Sequence, residues 1–583
     1  MLQNDTNSLS AWCYSSFKQN EKNKYKNRCF HTETMVGLYF YLFVHFFDGL
    51  KIMGQTKYEN QYKDFLDDKN AFFRGMKKIS QDSSSTNKKG VLNLSSEGFD
   101  SGEGRGTDKF EFARQMAREH DYGFLATNKL LIEKEFNQLF ATLKQKGIEN
   151  DEFRFYCYYC CLMLKLYYEA YRQQSKIDEY NGLLNDLEML CTEGRLPVAA
   201  TNHDGFFTAL GKKLAADIAD LIDTPKKLSK LRDKVGIYNL NRIYWYFCRT
   251  TIKNSLLLAR DLKWLEKLGN VLGKNIDVDN VIHILEKPNG VLRFLSVGFF
   301  AIRFIMNAGM VLKHVRYASE KERQLDWKKR FTNEVYKRHA SFLNDIVWGT
   351  VNCVTNYNEF FGISAPVAGW IVAGFLLFDV CLILWRQHLE KQEYLTKRSQ
   401  YLKEMGDIEH DPAAHEHYVV LVEQLRQLDL SWDASNATYW FNASAAFLLM
   451  AGFSASMVFT APVMVLACYM VCTFAVAMYL SDGAYKEYKE KSLILEYAQL
   501  TNQGEDAALK QYQNARNELA FTLTKNTVMP ALLIGTFAVC WEAAVLLAVA
   551  YTGYELYRSY SKHCQARMES SLEENELSLL KAQ

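Results

Sequence analysis

Between Ala434 and Ser481 the chain carries 48 consecutive residues without an Asp, Glu, Lys or Arg. A helix rises ~1.5 Å per residue and a bilayer's hydrocarbon core is ~30 Å thick, so about 20 such residues cross it once. The run holds two crossings. Thr460-Ala461-Pro462 lies near its middle. Backbone polar groups in lipid must be satisfied within each helix, which excludes a loose connection at mid-depth. The sequence therefore predicts a tight helical hairpin over 439–481 with both ends on one side.

Three further runs are each long enough for one crossing. Phe360–Trp385 is interrupted by Asp379, Val528–Tyr551 by Glu542, and Phe294–Leu312 by Arg303. Ile346–Asn358 and Ala520–Thr527 are weaker neighbours, giving five to seven spans. Ala365-Pro366, Ala461-Pro462 and Met529-Pro530 are each expected to open an apolar helix, because proline suits a first turn whose N–H has no partner. Charged arms follow the first two spans, over 386–405 with 412–430 and 483–502 with 505–524. Gly406-Asp407 and Gly504-Glu505 are the expected turns between them. The pattern reads as a degenerate repeat of membrane helix, coiled-coil-like helical hairpin and membrane helix. Seven prolines in 583 residues suit long helices.

Lys and Arg near the spans set orientation. They cluster at Lys313–Arg330, Arg386–Arg398, Lys486–Lys491 and Arg558–Arg567, so all four segments are expected on the cytoplasmic side. Hairpins at 345–385, 439–481 and 521–557 satisfy this. The run at 294–312 is then left as an odd span or a peripheral helix.

The first half is more polar, which is why mean hydropathy over the whole chain is only −0.22. Residues 1–52 hold a short apolar stretch, Met35–Phe47, behind a basic flank. They read as an over-extended start before Met53, an interfacial anchor or a signal peptide. Residues 53–108 read as a polar segment, with a disordered Ser- and Gly-rich linker over 79–108 that has too little apolar surface to fold. Residues 109–290 show helical periodicity and no strand alternation, as expected of a soluble helical domain. The membrane domain with its arms is assigned to 291–557 and a charged tail to 558–583. The fold class is all-α.

The 13 cysteines are odd in number, and several lie in apolar runs. That is the usage of reduced, buried thiols rather than of a disulfide scaffold. Cys157-x-x-Cys160 lacks a second ligand pair for zinc, so it reads as core helix. Basic and acidic residues number 69 and 67, which excludes a global electrostatic drive toward nucleic acid. No nucleophile elbow, kinase set, Walker motif or HExxH is found, and no cofactor is implied.

Charges inside membrane helices usually have a role or a partner. Arg303, Asp379 and Glu542 therefore form either a transport path or a neutralising structural set, with Asp379 the expected partner of Arg303 from chain order. His410, Asp411, His415 and His417 have the chemistry of a zinc or nickel site, or are a solvated helix start capped by Asp411-Pro412.

The tail Met568–Gln583 is acidic, contains Ser570 and Ser571, and carries Leu579 and Leu580 near its end. It resembles the C-terminal translocation signals of Dot/Icm-type type IV secretion substrates. The paired membrane helices with helical arms are similar in style to membrane-inserting effectors of that class. The resemblance implies a host membrane as destination and carries over no catalytic residue. The sequence thus predicts an integral, multi-pass protein of a bacterial inner membrane, or of a host membrane if secreted. Its partners would be the bilayer and a protein met through the charged arms. A transporter or channel is the alternative.

Overall fold

The computed structural model describes residues 63–79, 104–146, 150–193, 228–264, 267, 277–287, 289–408, 415–501, 504–539, 543–561 and 564. Among them the chain is all-helical, with no strand. The helices are α1 (63–79), α2 (Gly104–Glu119), α3 (Tyr122–Lys146), α4 (Asp151–Ala170), α5 (Gln174–Glu193), α6 (Leu228–Asp261), α7 (Val278–Glu286) and α8 (Asn289–Arg316). After them come α9 (Trp327–Asn356), α10 (Ala365–Ile408), α11 (His415–Val458), α12 (Pro462–Tyr479), α13 (Asp482–Thr501), α14 (Glu505–Val539) and α15 (543–561).

α4 is the axis of the N-terminal bundle. The Asn150 side chain accepts from the Phe153 N–H at 3.2 Å, and Asp151 and Glu152 lie in the first turn. Both features favour a helix start there. Cys157, Cys160 and Cys161 are fully buried among Tyr156, Tyr158, Tyr159 and Met163. A helix that is apolar all round must be surrounded. α1, α2, α3 and α5 surround it, and Val420 of α11 completes the same core. Phe72 of α1 stacks on Tyr159 at 4.6 Å.

The segment 53–108 is thus not uniformly polar linker. Phe65, Phe72, Phe73 and Met76 are core residues, and residues 104–108 are helical. Residues 1–62 and 80–103 lie outside the described residues, as does most of the tail, Leu579 and Leu580 included.

The second half is built of antiparallel pairs. α8 and α9 pair, α10 and α11 pair, and α11 turns at 459–461 into α12. Pro462 stands in the first turn of α12, as the sequence predicts. At Gly452 an added Cβ would lie 3.0 Å from the Cys468 carbonyl and 3.0 Å from Cys472 Sγ, so glycine lets α11 and α12 approach closely. Tyr394 stacks on Trp432 at 5.0 Å and donates to Asp429 at 2.8 Å, joining the first pair of arms. Gly504, at φ +66°, makes the turn between α13 and α14, a conformation that favours glycine.

Span and arm are continuous. α10 and α11 are each 44 residues long, ~66 Å at 1.5 Å per residue. Two sequence expectations are corrected. Pro530 lies inside α14 and opens no helix, so the third copy of the repeat fails. Gly406 and Asp407 are helical, and the connection between these arms falls at 409–414, outside the described residues.

Four helices are long and apolar enough to cross a membrane: Val278–Arg316 (α7 running into α8), Ala365–Ile408, His417–Val458 and Pro462–Tyr479. Packing runs across the boundary expected at 290. Tyr244, Phe247 and Cys248 of α6 and Val281 and Leu285 of α7 share a core with Leu376, Leu449, Cys472, Val476 and Ile534. Packing thus groups α6 and α7 with the apolar helices.

Candidate functional site

Arg303 and Asp379 are not brought together as partners. Arg303 Nη2 lies 3.2 Å from Asp345 Oδ1 across the α8–α9 pair, and the Asp345 side chain is fully buried. Asn307 donates to the other oxygen of Asp345 at 3.3 Å. Asp379 instead accepts from the Trp348 indole N–H at 2.9 Å. α9 thus satisfies both charges, from positions three residues apart. Asp345 escaped the sequence reading because it closes a charged stretch and so looks extramembrane. Glu542 lies outside the described residues.

The histidine cluster is not assembled as a metal centre among the described residues. His410 and Asp411 lie outside them. His415 is exposed at the first residue of α11. His417 points into the N-terminal bundle, its ring 4.7 Å from Phe153 edge-on and 5.4 Å from Phe73. Burial, with Lys69 and Lys77 nearby, lowers its pKa to about 4. It is a half-buried, neutral aromatic ring packed against the bundle core.

The most extensive polar site joins the bundle to the first arms. Lys69 of α1 lies 3.2 Å from Glu135 of α3 and 3.1 Å from Glu404 of α10. Lys397 of α10 lies 3.1 Å from the other oxygen of Glu135. The Tyr401 hydroxyl sits 2.9 Å from Glu135 and 3.0 Å from Gln138, with one proton to donate. Two ammoniums meet two carboxylates, so the group is neutral as a set.

Burial alone would raise the Glu135 carboxyl. Lys69 and Lys397 more than reverse that and hold it at about 2. Burial would likewise lower Lys69, but two carboxylates raise it above the usual lysine range. Lys397 meets only one, and burial wins, leaving it lowered. Around this network Lys134 pairs with Glu393. None of these residues was a sequence candidate. The partners stand 66 to 335 positions apart, and only helix-face burial of Lys69 could have flagged them.

A second junction ties the bundle to the α8–α9 connection. His314 stacks on Tyr171 at 3.9 Å and contacts Glu322 at 2.7 Å. Burial would raise the Glu322 carboxyl, but His314 and the Ser319 N–H lower it. Arg338 binds Glu334 at 2.5 Å and donates to the Tyr171 hydroxyl at 2.7 Å. Ser319 donates to the Ala170 carbonyl at 2.7 Å, which covers a free carbonyl at the end of α4. A void of about 10 Å³ lies between Tyr122, His314, Glu322, Arg330 and Lys337, just large enough for one water.

No family model, no curated protein and no solved structure matches this chain.

Proposed function

We propose that the chain is a multi-pass membrane protein that acts as an interaction scaffold, with its N-terminal bundle as an extramembrane domain fixed on one face. The observation that carries this reading is the double docking of the bundle. Residues 314–338 and residues 393–420 both contact it, so both ends belong to one side. They are also two of the Lys- and Arg-rich segments, which marks that side as cytoplasmic.

The exposed apolar surface supports a lipid environment. In the apolar windows of the four candidate helices only 22–39% of residues are buried. Phe294, Ile305, Trp370, Phe447, Val463 and Met470 face outward, and exposed large apolar side chains on neighbouring helices are the kind of surface that meets a membrane or a partner.

Parity then assigns the remaining crossings. If 314–338 is on the bundle's side, α8 begins on the far side at Asn289. On this reading α6 carries the chain across, which gives the odd span left by the sequence a partner crossing. α9, α10, α11, α12, α14 and α15 complete the reading. Lys525 with Glu555 at 3.3 Å and Arg558 with Glu518 at 2.5 Å join α14 to α15, at the end that this reading puts on the bundle's side.

The bundle packs against one face of the first arms, which still expose Leu389, Leu395, Leu402, Val419 and Val422 elsewhere. The second arms, α13 and the start of α14, keep exposed Tyr497, Leu500 and Leu509 among charged neighbours. That surface is the proposed site for a protein partner. A bacterial inner membrane, or a host membrane reached through the tail signal, is the proposed location.

The test is a variant with residues 486–520 replaced by a short turn. Proximity labelling from the bundle is expected to lose specific protein neighbours while membrane insertion persists. Asp379-dependent solute flux by the purified protein in liposomes would contradict the scaffold reading and favour transport.

A further inference from the structure

α6 is a poor membrane helix by composition, since Arg242, Arg249 and Lys253 interrupt it. It nevertheless lies level with its apolar neighbours. Thr251 and Thr473 hydroxyls are 3.0 Å apart, and Thr473 is well inside α12. Ile252 reaches Gly535 of α14. Asn526 of α14 binds Ser481 at 3.0 Å, which fixes the same register independently: 526 with 481 and 535 with 472. On the reading that α12 spans the bilayer, Arg249 lies about four residues, ~6 Å, farther into the membrane than Tyr479.

Two donors there lack acceptors. Arg249 is 8% exposed, and its Nη1 is buried with no hydrogen-bond partner among the described residues. The same holds for the Trp245 indole N–H. Four residues apart on a helix puts two side chains on one face, with Cβ atoms ~5–6 Å apart. Leaving such donors unmatched away from water is unfavourable.

The surrounding charge is positive. Lys253 pairs with Glu286 of α7, the carboxylate whose field also reaches Arg249, while Arg293 of α8 acts on Arg249 with the opposite sign. The Arg249 guanidinium also faces the Tyr246 ring at 5.6 Å. A guanidinium fork and an indole N–H, both donors only, call for an anionic oxygen ligand.

We propose that Trp245 and Arg249 form a binding site for a phosphate group at the seam of α6 with the apolar hairpins. The shared chemistry is a phosphate oxyanion, either the headgroup of an anionic phospholipid or free phosphate. The site rests on α6 crossing the membrane, which is the reading given above.

The experiment uses the full chain in nanodiscs. One arm contains phosphatidylcholine with ~20% phosphatidylglycerol, and retained phosphatidylglycerol per protein is counted by native mass spectrometry. The other contains phosphatidylcholine alone and is titrated with radiolabelled inorganic phosphate. One arm is expected to show binding, and Arg249→Gln and Trp245→Phe to weaken it at least tenfold. The first arm alone identifies a lipid headgroup and the second alone a free anion. Trp245→Phe keeps an aromatic ring while removing the N–H donor and part of the indole's volume, so it retains the test where Arg249→Gln does not fold. Binding in neither arm, or binding unchanged in a folded variant, overturns the site. Impermeant labelling at positions 232 and 264 separately reports whether α6 crosses. Same-side labelling would overturn the topology without accounting for a loss of phosphate.

Discussion

Arg303 and the fully buried Asp345 form an ion pair whose members depend on each other. Removing one partner leaves a charge uncompensated, at a cost of ~3–5 kcal/mol, whereas replacing both by apolar residues is nearly neutral. Arg303→Leu is therefore expected to lower thermal stability sharply, and Arg303→Leu with Asp345→Leu to recover it. Rescue by Asp379→Leu instead would contradict the pairing, because Asp379 is held by Trp348. Melting temperature and yield of the purified variants decide between them.

Two side chains at the bundle–arm junction make its stability depend on pH. His417 titrates near 4 in the folded chain against ~6.5 unfolded, and Glu135 near 2 against ~4.3. Both values are depressed, so the unfolded state binds protons first as pH falls. Their stabilisation is present above about pH 6.5 for His417 and above about 4.3 for Glu135. It is lost on acidification through those windows, down to about 4 and about 2 respectively. His417→Phe is expected to abolish the loss between about pH 6.5 and 4 and leave that below it. An unchanged profile, followed by hydrogen exchange of α1, would contradict the buried position of the ring.

At the scale of elements, close helix approach and register are the testable features. Gly452→Ala would place a methyl against the Cys468 carbonyl at 3.0 Å, and backbone yields less readily than a side chain. Overpacking of this kind typically costs ~1–3 kcal/mol, and a drop of that size in the stability of the α11–α12 hairpin is expected. A neutral result would mean the two helices sit farther apart.

The uncharged run at 434–481 made this hairpin legible, because a long stretch without charge has few other physical uses. α10 was legible for the same reason. α6 was not. Its buried apolar residues pack against other helices, and Arg242, Arg249 and Lys253 interrupt the run, so its average hydropathy is unremarkable. Asp345 was hidden in the same way at the end of a charged stretch. Pro530 misled because a proline inside a helix and one at its start look alike in sequence. The charge network of Lys69, Glu135, Lys397 and Glu404 had no local signature, since tertiary docking alone brings those residues together.

At the scale of the whole molecule, one bundle grips two separate ends of the apolar helices. A buried ion network is weak evidence for stability; here Lys69, Glu135, Lys397 and Glu404 tie one face of the bundle to α10. The most direct test is impermeant thiol labelling of added cysteines in sealed vesicles of known orientation, read against the unmodified chain. The chosen positions are 175 in the bundle, 402 in the first arm, and 360 and 460 at the tips of the α9–α10 and α11–α12 turns. With the bundle fixed on one face, 175 and 402 are expected to label from one side, and 360 and 460 from the other. Labelling of 175 and 402 from opposite sides, or of the tips from the bundle's side, would contradict that topology.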